Sequence, residues 1–277
     1  MKARRVPIAH PARPVDIDDR LALAGQRAAM ARYFPPEAWA NQDERLAMEV
    51  PAIEAFAREV VRTVDEKDPQ TPIKPLPLDE LQYLRIFIYL FVRERLLMVP
   101  KSRQILITWI TFICILWRLM KYPYQKWALV PKKAQDGIAH IEDRIKNVLW
   151  NYLPRWLTSQ YSVAAVKGTF HITHFRGQPW NSWLTVYPQG ADQLRQFTHS
   201  GIFGDEVAFQ RLFRQWWKAA VPTIGGRRGH AGQVVLVSSA SKGSYFEELL
   251  GGELIEAVQY ARGELGPFAG SYARPAA

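Results

Sequence analysis

Cysteine is almost absent from this 277-residue chain. Cys114 stands alone, which excludes a disulfide framework and a cysteine-rich zinc site and fits a reducing compartment. Long apolar runs are missing too. The most apolar stretch, 105–117, is bounded by Gln104 and Arg118 and is shorter than the roughly 20 residues of a membrane span, so a buried helix is expected there. No apolar segment follows Lys2, Arg4, Arg5 and Arg13, so no secretory signal is expected and the chain reads as soluble. Aspartate stops at Asp205, with none in 206–277, and no internal repeat is visible. Acidic residues are in deficit, 26 against 36 Lys plus Arg. The net charge of +10 favours an anionic partner, nucleic acid before a membrane surface. Ordinary solubility is the competing account of that charge.

What is present is enough for a core: 48% hydrophobic residues, with 10 Trp and 13 Phe, exclude wholesale disorder. The length suits one large domain or one domain with an appendage. After an extended start at Pro7, Pro11 and Pro14, the segments 16–33 and 43–64 read as helices, with Ile53, Phe56, Val60 and Val64 at helical spacing and Asp43 as the N-cap. Four prolines within 68–77 break any helix, so this stretch reads as a linker. Beyond it, strands and helices alternate. Helical 78–92 leads to an apolar strand at 96–99, then the apolar helix. A strand at 126–130 precedes a helix over 132–152, with Ile138, Ile141, Ile145, Val148 and Leu149 on one face. Segments 169–175 and 183–187 alternate like paired strands, and 201–204 and 234–237 are apolar strands separated by a helix over 209–219. This alternation predicts an α/β fold, a mostly parallel sheet with helices on both faces.

Ligands in such sheets bind at the carboxyl ends of strands, where three turns carry chemistry. The first is 99–108, between a strand and a helix. Thr108 is placed where a P-loop puts its magnesium hydroxyl, but Leu106 and Ile107 replace the usual Gly-Lys, and the positive charge sits earlier, on Lys101 and Arg103. A side chain at position 106 disfavours the left-handed backbone that wraps phosphate. The second turn ends an apolar strand in Asp205-Glu206, where an Asp can hold magnesium and a Glu can take a proton from attacking water. The third, after 234–237, runs into Ser238 and Ser239, hydroxyls suited to a γ-phosphate or its water. Each has an ordinary structural alternative, a solvated strand-end turn.

The segment Pro188-Gln-Gly-Ala-Asp-Gln-Leu-Arg195, continuing through Gly204-Asp-Glu-Val-Ala-Phe209, resembles the large terminase subunits of tailed bacteriophages. So do Asp143-Arg-Ile145, Leu153-Pro-Arg-Trp-Leu157 and Trp216-Trp-Lys-Ala-Ala-Val-Pro222. The resemblance spans roughly residues 76–250. It implies a P-loop NTPase fold of the additional-strand, catalytic-glutamate type, preceded by a helical segment over 1–75 and followed by a tail over 251–277. It also implies an ATPase that drives double-stranded DNA into a capsid, with ATP and Mg2+ as cofactors.

On that resemblance Lys101, Ser102, Arg103 and Gln104 with Thr108 form a deviant Walker A loop. Lys101 is expected to bind ATP, and Arg103 to stabilise charge in cis. Asp205 and Thr108 hold the metal, Glu206 is the base, and Ser238 and Ser239 line the γ-phosphate. Gln82 corresponds to the adenine-reading glutamine, a surface Gln being the alternative, and Arg195 to a finger inserted into the neighbouring subunit. Arg211, Arg214 and Lys218, at i, i+3 and i+7, are expected to give one basic helix face; with Arg227 and Arg228 they suit DNA phosphates, although a solvated face is the alternative. His171 and His174 read as structural, since on a strand they point to opposite faces. The implied partners are DNA, the portal protein, the small terminase subunit and further copies in a ring, as a pentamer, docked on the procapsid portal in the host cytoplasm. The aspartate-free tail leaves no room for the family's nuclease, so an ATPase part alone is expected. A nucleotide-independent DNA-binding or assembly module with a decayed P-loop is the other reading.

Overall fold

The computed structural model describes residues 19–36, 39–65, 68–102, 105–190, 194, 198–224 and 232–251. Its centre is a seven-stranded sheet. Numbered along the chain, the strands are β3 (Leu96–Lys101), β4 (Lys126–Val130), β5 (Tyr161–Val166), β6 (Thr169–Phe175), β7 (Gln178–Val186), β8 (Gly201–Asp205) and β9 (Gln233–Ser239). They lie in the order β3-β9-β8-β4-β7-β6-β5. From β3 to β7 neighbouring strands run parallel, whereas β6 pairs antiparallel with both β7 and β5. The insertion of β9 between β3 and β8 brings Lys101, Ser239 and Asp205 to one edge: Lys101 is in register with Ser239, and Asp205 with Val237.

The central strands β4, β8 and β9 are almost wholly buried, and alternate residues serve different layers. Trp127, Leu129, Phe203, Val235 and Val237 join a core with α2 (Gln42–Glu59), α3 (Gln82–Arg93) and α4 (Ile107–Lys121). Ala128, Val130, Ile202, Val234 and Leu236 face the other way, onto Phe213, Trp216 and Ala220 of α7 (Phe213–Ile224) and Phe246 of α8 (Tyr245–Leu250). The sheet therefore sits between two helical layers, as strands read as continuous apolar runs require.

The expected buried helix is α4, with Ile110, Phe112, Ile113, Cys114, Ile115, Leu116 and Trp117 fully buried. Among the described residues no helix is long and apolar enough to cross a membrane. The N-terminal helices share its core: Phe56 and Ile53 of α2 are fully buried, and Trp117 Nε1 donates to the Tyr33 carbonyl at the end of α1 (Asp19–Tyr33) over 2.6 Å.

Several boundaries differ from expectation. Asn41, not Asp43, caps α2 by accepting from the Glu44 amide, and the helix stops at Glu59 rather than 64. Thr63–Val64 and Ile73–Lys74 then pair antiparallel as β1 and β2, so the proline-rich stretch closes a hairpin. The helix expected over 132–152 has two parts: α5 (Ala134–Ala139) and a π-helical stretch, His140–Trp150. Strand β5 has no counterpart in the sequence reading.

The helix expected from residue 209 starts only at Phe213, because Gln210 holds the chain out of it. Its buried amide donates to the Val130 and Asp205 carbonyls and accepts from Trp216 Nε1. Arg211 thus precedes the helix, and the three-cation helix face is corrected: only Arg214 and Lys218 belong to α7. Arg227 and Arg228 lie outside the described residues, as does the tail from 252.

Candidate active site

Asp205 is the last residue of β8, in a strand buried throughout. Gly204 allows this: a Cβ there would lie 2.6 Å from Val207 Cγ1 and 2.9 Å from Leu236 Cδ2. The chain leaves the strand through Glu206, which has a left-handed backbone at φ 54°, a conformation that costs a non-glycine residue about 1–3 kcal/mol and clusters at functional sites. Its side chain turns back over the ends of β3 and β9. Lys101 Nζ lies 2.9 Å from Glu206 Oε1, and the Ser239 amide donates to Oε2 over 3.1 Å. The Ser239 hydroxyl donates to Oε1 over 3.3 Å, and the Ser238 hydroxyl lies 3.5 Å from Oε2. Ser238 Oγ also accepts from the Ala208 amide, which fixes the turn after Glu206.

Burial opposes ionisation of Glu206. The hydrogen bonds from Lys101 and Ser239, with the Lys101 charge, outweigh it and hold the carboxyl below its ordinary range. The Lys101 side chain is only 9% exposed, so solvent screens the pair weakly.

The loop before α4 brings Thr108 to the same place. Leu106 has φ 59°, a left-handed conformation, and α4 begins without a side-chain cap. The Cβ at 106 that disfavours this conformation does not prevent it. The loop adopts it with Leu, and packing of Leu106 against the main core offsets the strain. Among the described residues no side chain caps the first-turn amides of α4, an arrangement suited to an anion. Tyr83, in the first turn of α3 beside Gln82, donates to the Ile105 carbonyl over 3.0 Å and ties the loop to that helix. Ser102 is exposed.

Thr108 Oγ1 lies 3.4 Å from Asp205 Oδ1. Adjacent oxygens around octahedral Mg2+, at about 2.1 Å from the metal, are about 3 Å apart. The two hard oxygen donors therefore fit a shared magnesium ion with a small adjustment.

The structure thus brings together Lys101, Thr108, Asp205, Glu206, Ser238 and Ser239, and sets Gln82 at the helix end tied to the loop. Arg103, Gln104 and Arg195 lie outside the described residues. His171 bonds Asn181 and His174 bonds Thr173, in keeping with roles inside the sheet. Sequence reasoning missed His140, whose Nε2 lies 3.4 Å from Asp205 Oδ2. No motif marks it; the available signal is its place one short helix after β4, the strand beside β8.

The strand order gives a mixed α/β fold, a seven-stranded and mostly parallel sheet between helices, with the strand-end turns gathered on one edge. No protein-family model matches the sequence, and no curated protein matches it. Among solved structures, the chain is similar to the large terminase ATPase domain of Thermus phage P74-26, at 16% identity over 58% of this chain and 66% of that one, with a TM-score of 0.47. It is similar to the large terminase of a thermophilic bacteriophage in complex with ADP, at 18% identity over 53% of this chain and 33% of that one, TM-score 0.37. It is also similar to the N-terminal domain of the DNA packaging ATPase from bacteriophage phi29, at 14% identity over 63% and 84% of the two chains, TM-score 0.40. The chain spans just under two thirds of the first of these domains and a third of the second protein.

Proposed function

We propose that this chain is an ATP hydrolase of the phage large terminase type, using ATP to move double-stranded DNA. The observation that carries the hydrolase reading is the convergence of Lys101, Thr108, Asp205, Glu206 and Ser239, from three separate turns, on one strand-end edge. A decayed loop has no reason to keep a buried lysine against the one carboxylate placed to activate water. The packaging reading rests on the motif around Asp205-Glu-Val-Ala-Phe209 and on the net charge of +10.

In this reading Lys101 and the first-turn amides of α4 hold the β- and γ-phosphates. Thr108 and Asp205 hold Mg2+, which when bound neutralises charge developing on the phosphoryl oxygens. Glu206 takes a proton from a water whose oxygen attacks the γ-phosphorus as the bond to the ADP oxygen breaks. The hydroxyl and amide of Ser239, with Ser238, aim Glu206. Gln82 reads the adenine, Gln104 and Ser102 complete the loop, Arg103 stabilises charge in cis, and Arg195 of a neighbouring copy does so in trans. The partners are DNA, a portal, a small terminase subunit and further copies in a ring.

Steady-state hydrolysis with Glu206→Gln is the test. Turnover should vanish while a non-hydrolysable ATP analogue binds as tightly as to wild type; equal turnover of the two proteins sinks the reading.

A further inference from the structure

Among the described residues, His140 is an ionisable side chain at this edge that the reading above leaves without work. It stands where α5 gives way to the π-helical stretch, a feature that often marks functional sites. Its ring packs edge-on against Phe112, with centroids 5.7 Å apart, and Phe112 in turn packs against Phe203 at 5.3 Å. Phe112 lies one helical turn beyond Thr108, and Phe203 two residues before Asp205. The same aromatic stack therefore fixes all three polar groups relative to each other.

Close packing brings α5 within reach. Gly137, one turn before His140, lies against the end of β4 and against β7. A Cβ at this position would sit 2.6 Å from Pro131 Cγ and 2.9 Å from Val186 Cγ1. Only glycine allows the helix this near.

The Asp205 carboxylate is consequently addressed from both sides: Thr108 Oγ1 is 3.4 Å from Oδ1 and His140 Nε2 is 3.4 Å from Oδ2. A carboxylate with one free oxygen rotates about its Cβ–Cγ bond. With the His140 ring against the second oxygen, that rotation is restricted and Oδ1 stays directed at Thr108. Outer partners of this kind orient metal-binding carboxylates, and their loss typically costs 10–100-fold in metal affinity.

We propose that His140 is a positioning residue that orients Asp205 for the magnesium ion of the nucleotide complex. This rests on the reading of Asp205 and Thr108 as the metal pair. The affected quantity is the coupling between metal and nucleotide, the ratio of ADP dissociation constants without and with Mg2+. It is measured by calorimetry on the full chain for wild type, His140→Ala, His140→Gln and Asp205→Asn.

His140→Ala should lower the ratio about tenfold or more and leave metal-free ADP binding unchanged. His140→Gln, whose amide reaches the position of Nε2 without the ring, should restore most of it. Asp205→Asn should lose at least as much as His140→Ala. If His140→Ala keeps the wild-type ratio while Asp205→Asn loses it, the His140 assignment is overturned and the metal pair stands. Equal loss in His140→Ala and His140→Gln also overturns it, because packing on Phe112 would then be what matters. A wild-type ratio in Asp205→Asn removes the metal pair itself, and the His140 assignment with it.

Discussion

Lys101 Nζ and Glu206 Oε1 are 2.9 Å apart although 105 residues separate them in sequence. On the proposed reading, the lysine that would meet phosphate is thus already bound to the carboxylate that would activate water. Both groups cannot be served fully by one ammonium, so on that reading an arriving γ-phosphate would compete with Glu206 for Lys101. Release of Lys101 to the phosphate would free the carboxylate as nucleotide binds and so couple occupancy of the site to readiness for hydrolysis.

Lys101→Ala should therefore weaken binding of a non-hydrolysable ATP analogue about tenfold to a hundredfold, the worth of a hydrogen bond to a charged group at about 1.5–3 kcal/mol. Arg103→Ala should chiefly lower turnover at saturating ATP. Calorimetric titration of the two variants decides between them: if Lys101→Ala binds as wild type and Arg103→Ala does not bind, the two roles are exchanged.

The same contacts predict a pH dependence of stability. Burial resists the charge on Glu206, but Lys101 and Ser239 hold its folded-state pKa below the ordinary 4.5. A carboxylate depressed on folding contributes stability that is fully present above its unfolded value and is lost as pH falls through the folded one. Wild type should lose stability below about pH 4.5 more steeply than Glu206→Gln, read from urea unfolding midpoints at successive pH values. Parallel curves for the two proteins would contradict the ionised pair.

Leu106 gives a third prediction. Its left-handed backbone, φ 59°, costs about 1–2 kcal/mol in a residue with a Cβ, while its side chain is partly buried against the main core. Leu106→Gly relieves the first and forfeits the second, so stability should change by no more than about 1 kcal/mol. Leu106→Val keeps most of the apolar contact but puts a β-branched residue at positive φ, and should lose more than the glycine variant. Urea denaturation of both variants measures the order; a valine variant as stable as wild type would place the strain elsewhere.

The parallel part of the sheet was legible because buried strands must be short apolar runs bounded by turns, and 126–130, 201–204 and 234–237 are such runs. The edge carrying the site followed from them, since Lys101, Asp205 and Ser238 end or follow such strands. What escaped the sequence depends on tertiary contacts. Ile141, Ile145 and Leu149 recur at a spacing of four, which suits an α-helix and the wider π-helix alike. Position 211 looked helical until Gln210 was seen binding the Val130 and Asp205 carbonyls, which no local pattern encodes. The αL state of Leu106 runs against residue preference and exists because surrounding packing outweighs it. His140 meets Asp205 only because Gly137 lets two elements touch.

The redrawn basic surface supplies the last prediction. Arg214 pairs with Glu248, and its guanidinium lies 4.5 Å from the centre of the Tyr245 ring; its charge is partly neutralised before any DNA arrives. Arg211 and Lys218 are exposed, Arg211 in the turn before α7 and Lys218 on the helix. If this surface meets DNA phosphates, each cation in contact contributes about 0.9 to the slope of log affinity against log salt, without sequence preference. Arg211→Glu and Lys218→Glu should each flatten the slope by about one, whereas Arg214→Ala should change it by much less, because Glu248 already offsets that charge. Fluorescence anisotropy with a labelled duplex across a salt series provides the slopes. Unchanged slopes in the Arg211 and Lys218 variants would make this a solvated surface; a larger effect of Arg214→Ala than of either would mean that DNA displaces Glu248 and takes the guanidinium for itself.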